Sequence, residues 1–186
     1  MTMKIRPLNA FLVLILLAGC ASTKIPRAWI SSPPAQRGEN RSFKATLEPL
    51  KGGERFFVSF RLSVRNKTDK TLRIDWNRTR YIYQGRPNGG FVFRGIDPAA
   101  IKGSSIPPDP IRPGELFSKE IFPTSLVAFT PFRDVVTDKQ GKGIQPGPIP
   151  AGENGISLAI RQGEREMVER ILLNIRAVSQ KTQRGS

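Results

Sequence analysis

Cys20 is the residue of this 186-residue sequence whose surroundings define a chemistry most clearly. It is the single cysteine, so it has no disulfide partner, and its thiol is a nucleophile that a modifying enzyme can use. Two small residues precede it and allow the chain to bind in extended form at a processing site. The apolar run at residues 11–17 follows Lys4 and Arg6 and is too short to cross about 30 Å of hydrocarbon as a permanent helix. The chain therefore begins like an export signal that ends at a reactive thiol.

The peptide Leu17-Ala18-Gly19-Cys20 resembles the lipobox that ends the signal peptide of bacterial lipoprotein precursors. This resemblance implies that residues 1–19 are removed, that Cys20 receives a diacylglycerol thioether, and that the mature protein is anchored in the cell envelope. Ala21 stands where an aspartate would imply retention in the inner membrane, so the resemblance also implies the outer membrane, facing the periplasm. Two alternatives are an ordinary secretory signal cut elsewhere and a short membrane anchor with a chance cysteine.

Net charge limits the partners that an exported chain can bind. The whole sequence carries +15, and the loss of Lys4 and Arg6 with the signal leaves +13. This surplus favours anionic partners such as lipid head groups, lipopolysaccharide, acidic cell-wall polymers or an acidic protein. The alternative is a soluble surface that is basic without binding an anion. Nucleic acid is not expected as a partner, because the chain is exported.

The absence of histidine from the sequence excludes several classes of catalytic site. Ser-His-Asp and Cys-His catalysis, most catalytic zinc sites and the usual general base near neutral pH all require an imidazole. Carboxylate pairs are still possible chemically, but the acids show no motif and no metal-ligand spacing. We therefore expect neither an enzyme nor a metal or other cofactor. The scattered acids are Asp75, Asp97, Asp109, Glu115, Asp134 and Asp138.

Alternation of apolar and polar residues predicts strands in the first half of the chain. Residues 56–65 alternate with a period of two, which is typical of a half-buried strand. Residues 66–70 are polar and predict a turn, and residues 72–76 alternate again, so we predict a first hairpin. Residues 81–83 and 91–94 flank a glycine-rich turn and predict a second hairpin.

Proline and glycine mark the loops in the second half. Residues 97–114 are rich in proline and predict a crossing loop, because proline cannot donate to a central ladder. Residues 116–122 and 156–161 predict strands. Residues 126–129 fit either a strand or a buried turn. Residues 167–178 fit a strand or a helix, and their alternation favours the strand.

About seven short strands predict an all-β fold, an antiparallel two-sheet sandwich. Residues 60–68, residues 72–76 and the proline-glycine turn in residues 111–117 resemble parts of exported immunoglobulin-like domains. The resemblance implies an immunoglobulin-like arrangement of the two sheets. The chain departs from antibody domains because it lacks their inter-sheet cysteine pair.

The expected organisation has four parts. A lipoprotein signal peptide occupies residues 1–19, and the lipidated cysteine with a flexible tether occupies residues 20–40. The sandwich domain occupies residues 41–180, and a basic disordered tail follows at 181–186. Within the tether we favour docking of Trp29-Ile30 on the domain over insertion among lipid head groups.

Basic residues on and beside the outward face of the predicted first hairpin form a candidate binding site. Such a face attracts an anionic ligand, although outward arginines and lysines also protect exposed strands from aggregation. The candidate anionic-ligand face comprises Arg61, Arg65, Arg73, Arg78 and Arg80, with Lys67 and Lys70 beside them.

A second cluster surrounds Trp76, with arginines and with Tyr81 and Tyr83 close by in sequence. Stacked rings and charged groups of this kind can form a carbohydrate or peptide platform. Alternation places Trp76 on the same strand face as Leu72 and Ile74, so we favour a core position for its indole.

The expected function is that of a non-catalytic, membrane-anchored envelope lipoprotein that binds or scaffolds another envelope protein. Strand-edge pairing or a sheet face would make the contact. The alternative is a binding module for an anionic glycan or lipid that uses the basic face. If the protein were an enzyme, its catalysis would have to depend on carboxylate groups.

Overall fold

Two antiparallel sheets pack face to face in the computed structural model, which describes residues 28–53, 55–93, 105–129 and 144–178. The fold is an all-β, immunoglobulin-like sandwich, and the predicted fold class is confirmed. The strands are β1 (Ala28–Ser32), β2 (Gln36–Glu39), β3 (Phe43–Lys51), β4 (Phe57–Asn66), β5 (Leu72–Ile74), β6 (Arg80–Tyr83), β7 (Arg86–Pro87), β8 (Phe91–Val92), β9 (Asp109–Ile111), β10 (Leu116–Pro123), β11 (Val127–Phe129), β12 (Ile144–Pro146), β13 (Gly152–Gln162) and β14 (Arg165–Val178).

Strand order defines the two sheets. Sheet A runs β1-β14-β13-β5-β9, and β6 also pairs with β13 and carries β7 at its outer edge. Sheet B runs β2-β3-β4-β10-β8. A separate two-stranded ribbon joins β11 to β12, so the segment that fitted a strand or a buried turn contains a strand. The ambiguous segment near the end of the chain is the strand β14, as its alternation favoured.

The core lies between the sheets and is built from the alternating inward residues of each strand. Every second residue from Phe43 to Pro49 in β3 is buried, because strand side chains point alternately to the two faces. Aromatic rings join the sheets: the ring centroids of Phe60 and Tyr81 are 6.3 Å apart, and those of Tyr81 and Phe91 are 6.1 Å apart. Trp76 is 1% exposed, which confirms its predicted core position.

The predicted first hairpin is wrong, because β4 and β5 lie in different sheets. The turn between them is an arch that is fixed by the buried amide of Asn66. Asn66 Nδ2 donates to the carbonyl oxygens of Ile111 (2.9 Å) and Lys70 (2.8 Å), and Asn66 Oδ1 accepts from the backbone N–H of Thr68. Because Asn66 points inward, its amide ties the end of β4 to β9 in the opposite sheet.

The predicted second hairpin is also wrong in its partners. After β6 the chain reverses at Gln84 and Gly85, both with positive φ, and pairs with β7 at once. Positive φ at both central residues is the geometry of a tight hairpin turn. Phe91 and Val92 then cross to sheet B, where β8 pairs with β10.

The predicted tether includes residues that belong to the domain. Strand β1 pairs with the end of β14, and β2 pairs with β3, so residues 28–39 are part of the sandwich that was predicted to start at residue 41. Trp29 docks on the domain as expected, with its ring edge against Phe56 at a centroid distance of 5.4 Å. Cys20, the rest of residues 1–27 and the tail at 181–186 lie outside the described residues.

Candidate functional site

The five arginines of the predicted basic face do not share one face. Arg61 and Arg65 lie in β4 and point outward from sheet B. Arg73 and Arg80 lie in β5 and β6 and belong to sheet A, and Arg78 lies in the turn between those strands. The prediction of a single basic hairpin face is therefore wrong, because the arch at Asn66 sends the second strand to the opposite sheet.

Acidic groups compensate two of the cations on the outer face and edge of sheet B, Arg61 and Lys67. Arg61 Nη1 lies 3.1 Å from Glu48 Oε2, and Ser59 Oγ donates to Glu120 Oε1 at 2.6 Å. At the edge of this sheet Lys67 Nζ lies 2.8 Å from Glu39 Oε1. The hydrogen bond from Lys67 holds the pKa of Glu39 below its ordinary value. Arg65, whose Nη1 donates to the carbonyl oxygen of Gly114 at 3.1 Å, has no carboxylate within 4.0 Å among the described residues, so the charge of this face is only partly compensated.

The outer face of sheet A has a different pattern, which crosses three strands. Ser157 in β13 is in register with Arg80 on one side and with Arg170 on the other. Neighbouring strands are about 5 Å apart, so the Cα atoms of the two arginines are about 10 Å apart. We call Arg80, Ser157 and Arg170 the arginine row.

Apolar rows flank the arginine row on both sides. On one side Gly155 is in register with Ile82 and with Leu172. A Cβ on Gly155 would lie 2.7 Å from Leu172 Cδ2, so the leucine side chain extends across β13 where only a glycine leaves room. On the other side Ala159 is in register with Val168. Ile82 and Ala159 are buried, so the apolar surface that a partner can reach is Val168, which is 55% exposed, and the half-buried Leu172.

The charges of the arginine row are not neutralised within the described chain. Arg80 Nη1 donates to the carbonyl oxygen of Thr79 at 3.0 Å, and Arg170 Nη2 donates to that of Gly85 at 3.3 Å. Neither guanidinium has a carboxylate within 4.0 Å among the described residues. By contrast, Arg161 Nε lies 3.1 Å from Asp75 Oδ2, and Arg78 Nη1 lies 2.9 Å from Glu166 Oε2.

Sequence reasoning found Arg80 and missed Arg170. The sequence pattern could have identified Arg170, because alternate residues of a strand face opposite sides of the sheet. The residues between those predicted to face inward in β14 therefore face outward, and they include Val168, Arg170 and Leu172. The register of β14 against β13 was needed to place that set beside Arg80.

The cluster around Trp76 follows the favoured core interpretation rather than the alternative of a platform, because the rings of Trp76 and Tyr81 are buried. Trp76 Nε1 donates to Asp109 Oδ2 at 2.8 Å, and the Lys119 ammonium binds the same carboxylate and lies 3.9 Å from the centroid of the Phe93 ring. Tyr81 is buried and its hydroxyl donates to Asn154; burial raises the pKa of that hydroxyl.

A depression on the β6–β7 hairpin is open to solvent, unlike the enclosed pockets that bury most of a small ligand. The depression is lined by Tyr83, Gln84, Arg86, Pro87 and Asn88.

Within the described ranges no three acidic or cysteine side chains are grouped to hold a metal ion. In the same residues no helix has the length and apolarity needed to cross a membrane.

No protein-family model matches the chain, and neither the curated proteins nor the solved structures include a match to it.

Proposed function

We propose that this protein is a non-catalytic lipoprotein of a bacterial cell envelope, anchored through Cys20, whose sandwich binds another envelope protein. The outer face of sheet A is the contact surface, and the partner presents carboxylates opposite Arg80 and Arg170. Anchoring in the outer membrane, facing the periplasm, is part of the proposal and is supported by the lipobox and by Ala21.

The observation that carries the proposal is the arginine row, which lies between the exposed side chain of Val168 and the half-buried side chain of Leu172. Protein interfaces combine apolar contact with arginine and are depleted in lysine. Every basic residue in the strands of sheet A is an arginine, whereas the strands of sheet B mix lysine with arginine. A guanidinium binds a carboxylate through two parallel hydrogen bonds, which a protein partner can supply in fixed geometry.

Lipid anchoring is tested first and separately. Cells that express the full chain are labelled with a fatty acid, and the wild type is compared with Cys20→Ala. We expect the label on the wild type alone, and the variant should be released from the membrane or left unprocessed. A fully processed and membrane-bound Cys20→Ala protein would contradict the anchoring.

Partner binding is tested by placing a photo-crosslinking residue at Val168 on sheet A or, as a control, at Thr46 on sheet B. We expect a defined protein crosslink from position 168 that disappears in Arg80→Ser/Arg170→Ser. The matched control Arg61→Ser/Arg65→Ser removes the same charge from sheet B and should keep the crosslink.

The alternative ligand, an anionic glycan, gives a different result in the same experiment. Position 168 would then crosslink carbohydrate, and Arg80→Ser/Arg170→Ser would reduce retention on cell-wall preparations instead of the yield of a protein adduct. Equal crosslinking from positions 168 and 46 would contradict the assignment of the binding face to sheet A.

A further inference from the structure

The first and last described strands place both chain ends at one corner of the sandwich. In β1 Ala28 is in register with Val178 of β14, and Ile30 is in register with Arg176. The turn between β3 and β4 lies at the same corner, because the backbone N–H of Trp29 in β1 donates to the carbonyl oxygen of Arg55 at 3.0 Å. We call this part of the molecule the basal end.

The basal end is basic. The side chains of Lys51, Arg55 and Arg176 are exposed, and none has a carboxylate within 4.0 Å among the described residues. Ile30, opposite Arg176, is 44% exposed. The acids in adjoining positions are Glu54, outside the described residues, and Glu153, which is in register with Asn174.

The segments that leave this corner are also basic. Residues 21–27 contain Lys24 and Arg27, residues 179–186 contain Lys181 and Arg184, and neither segment contains an acid. Both segments join the described domain at the basal end, because Ala28 pairs with Val178.

The distance from the proposed lipid to the domain is short. Seven residues, 21–27, separate Cys20 from Ala28. A fully extended chain spans at most about 3.6 Å per residue, so Ala28 lies within about 29 Å of an anchored Cys20. No other part of the described domain is tied so closely to the anchor in sequence.

We infer that the basal end rests on the membrane that anchors the chain and binds anionic lipid head groups through Lys51, Arg55 and Arg176. The inference rests on the lipid anchoring in the proposed function. A lipid surface attracts lysine and arginine alike, since it requires positive charge rather than paired hydrogen bonds, and the basal cations include both. This orientation leaves the arginine row facing sideways, where a protein partner can reach it.

The test uses the mature chain with Cys20→Ser, so that any binding to vesicles is measured in the absence of a lipid anchor. Co-sedimentation is measured with phosphatidylcholine vesicles, with and without phosphatidylglycerol, at ~0.1 M salt. The wild-type surface should bind only the anionic vesicles. Each lost cation should weaken binding about fivefold, so Lys51→Ser/Arg55→Ser/Arg176→Ser should bind about a hundredfold more weakly.

The matched control is Arg37→Ser/Lys44→Ser/Arg65→Ser, which removes one lysine and two arginines from sheet B. Its affinity for anionic vesicles should stay within about twofold of the wild type if that affinity depends on where the cations lie rather than on the net charge. An equal loss in both triple variants would overturn the inference.

A fluorescent probe locates the contact independently of those substitutions. The probe is attached to the new thiol of Ile30→Cys or of Thr46→Cys, each made in the mature chain with Cys20→Ser. On anionic vesicles the emission should shift to shorter wavelength at position 30 and stay unchanged at position 46. A larger shift at position 46 would overturn the inference.

Failure of the two proposals can be told apart. If Cys20 takes up no fatty acid, the anchoring fails, whatever the vesicles show. If Cys20 is acylated and the basal triple variant binds like the wild type, the anchoring stands and the basal contact is wrong.

Discussion

Asp109 joins the two sheets at one end of the core. Its carboxylate accepts from the indole of Trp76, which follows sheet A strand β5, and from the ammonium of Lys119, which lies on sheet B strand β10. Lys119 also lies near the rings of Phe93 and Phe117, so its charge is held by one carboxylate and by aromatic faces.

Asp109→Ala should lower the free energy of unfolding by about 2–3 kcal/mol, because the buried indole N–H of Trp76 would lose its acceptor. Lys119→Met should cost about 1 kcal/mol or less, because the thioether chain keeps the contact with Phe93. Urea unfolding followed by circular dichroism measures both, with Asp69→Ala, at an exposed turn residue, as the control. Equal costs for the two changes would contradict the role given to Asp109.

The Glu39–Lys67 contact predicts a pH effect. The pKa of Glu39 is lowered in the folded protein, first by the hydrogen bond from Lys67, so this pair contributes stability above the ordinary value of 4.5 and loses it as the pH falls. In Lys67→Ser the Glu39 carboxyl should titrate at a higher pH, close to that value. A carboxyl-detected NMR titration measures this shift, with Lys70→Ser as the control; an unchanged Glu39 titration in Lys67→Ser would be inconsistent with the pair.

At the scale of elements, the arch between β4 and β5 depends on Asn66. Asn66→Ala should lower the free energy of unfolding by about 1–3 kcal/mol, because the buried carbonyl of Ile111 would lose its donor. Asn174→Ala, at an exposed position of β14, should be within about 0.5 kcal/mol of the wild type. Thermal or urea unfolding gives both values, and a neutral Asn66→Ala would mean that other contacts hold the arch.

The close contact of Leu172 with Gly155 gives a second prediction at this scale. A Cβ at position 155 would clash with the carbonyl oxygen of Ile171, so Gly155→Ala should destabilise the sheet by about 1–3 kcal/mol. Gly90→Ala is the control, because its Cβ would meet a backbone oxygen at 3.9 Å, an ordinary contact. Urea unfolding compares the two, and equal stabilities would show that β13 and β14 can separate there without cost.

The sequence was enough to identify strands and their buried faces, but it did not show which strands pair. A period of two is a local property, so it correctly marked β4, β10 and β14. A polar turn such as residues 66–70 looks the same whether it closes a hairpin or crosses between sheets. The difference is the burial of Asn66, whose acceptor Ile111 lies 45 residues away.

The same limit explains the candidate site. Arg73 and Arg80 were correctly recognised as outward-facing residues, but they were assigned to a face shared with Arg61 and Arg65. In the structure Arg73 is in register with Arg161, and the arginine in the same row as Arg80 is Arg170, from a strand about ninety residues further along. Only long-range pairing could bring the two guanidinium groups into one row.

At the scale of the whole molecule, β1 is part of the domain and should be needed for its stability. Removing residues 20–27 should leave the melting temperature unchanged, because the described domain starts at Ala28. Removing residues 20–32 also deletes Trp29 and its contact with Phe56, and should lower the melting temperature by about 10 °C. Calorimetry compares the two truncations, and equal melting temperatures would show that β1 is dispensable.

The passage of the chain between the sheets has a kinetic consequence. Neither sheet is contiguous in sequence: β1 and β5 belong to sheet A, the strands between them belong to sheet B, and β1 finds its partner only in β14. Pairing of distant segments is slow, because the entropy of closing a long loop is lost before the contacts that compensate for it can form. For a chain exported as we propose, the amino end emerges first and cannot complete its own sheet until the last strand follows. Under that proposal sheet A stays incomplete until β14 has emerged, so the sandwich would close only when translocation is nearly finished.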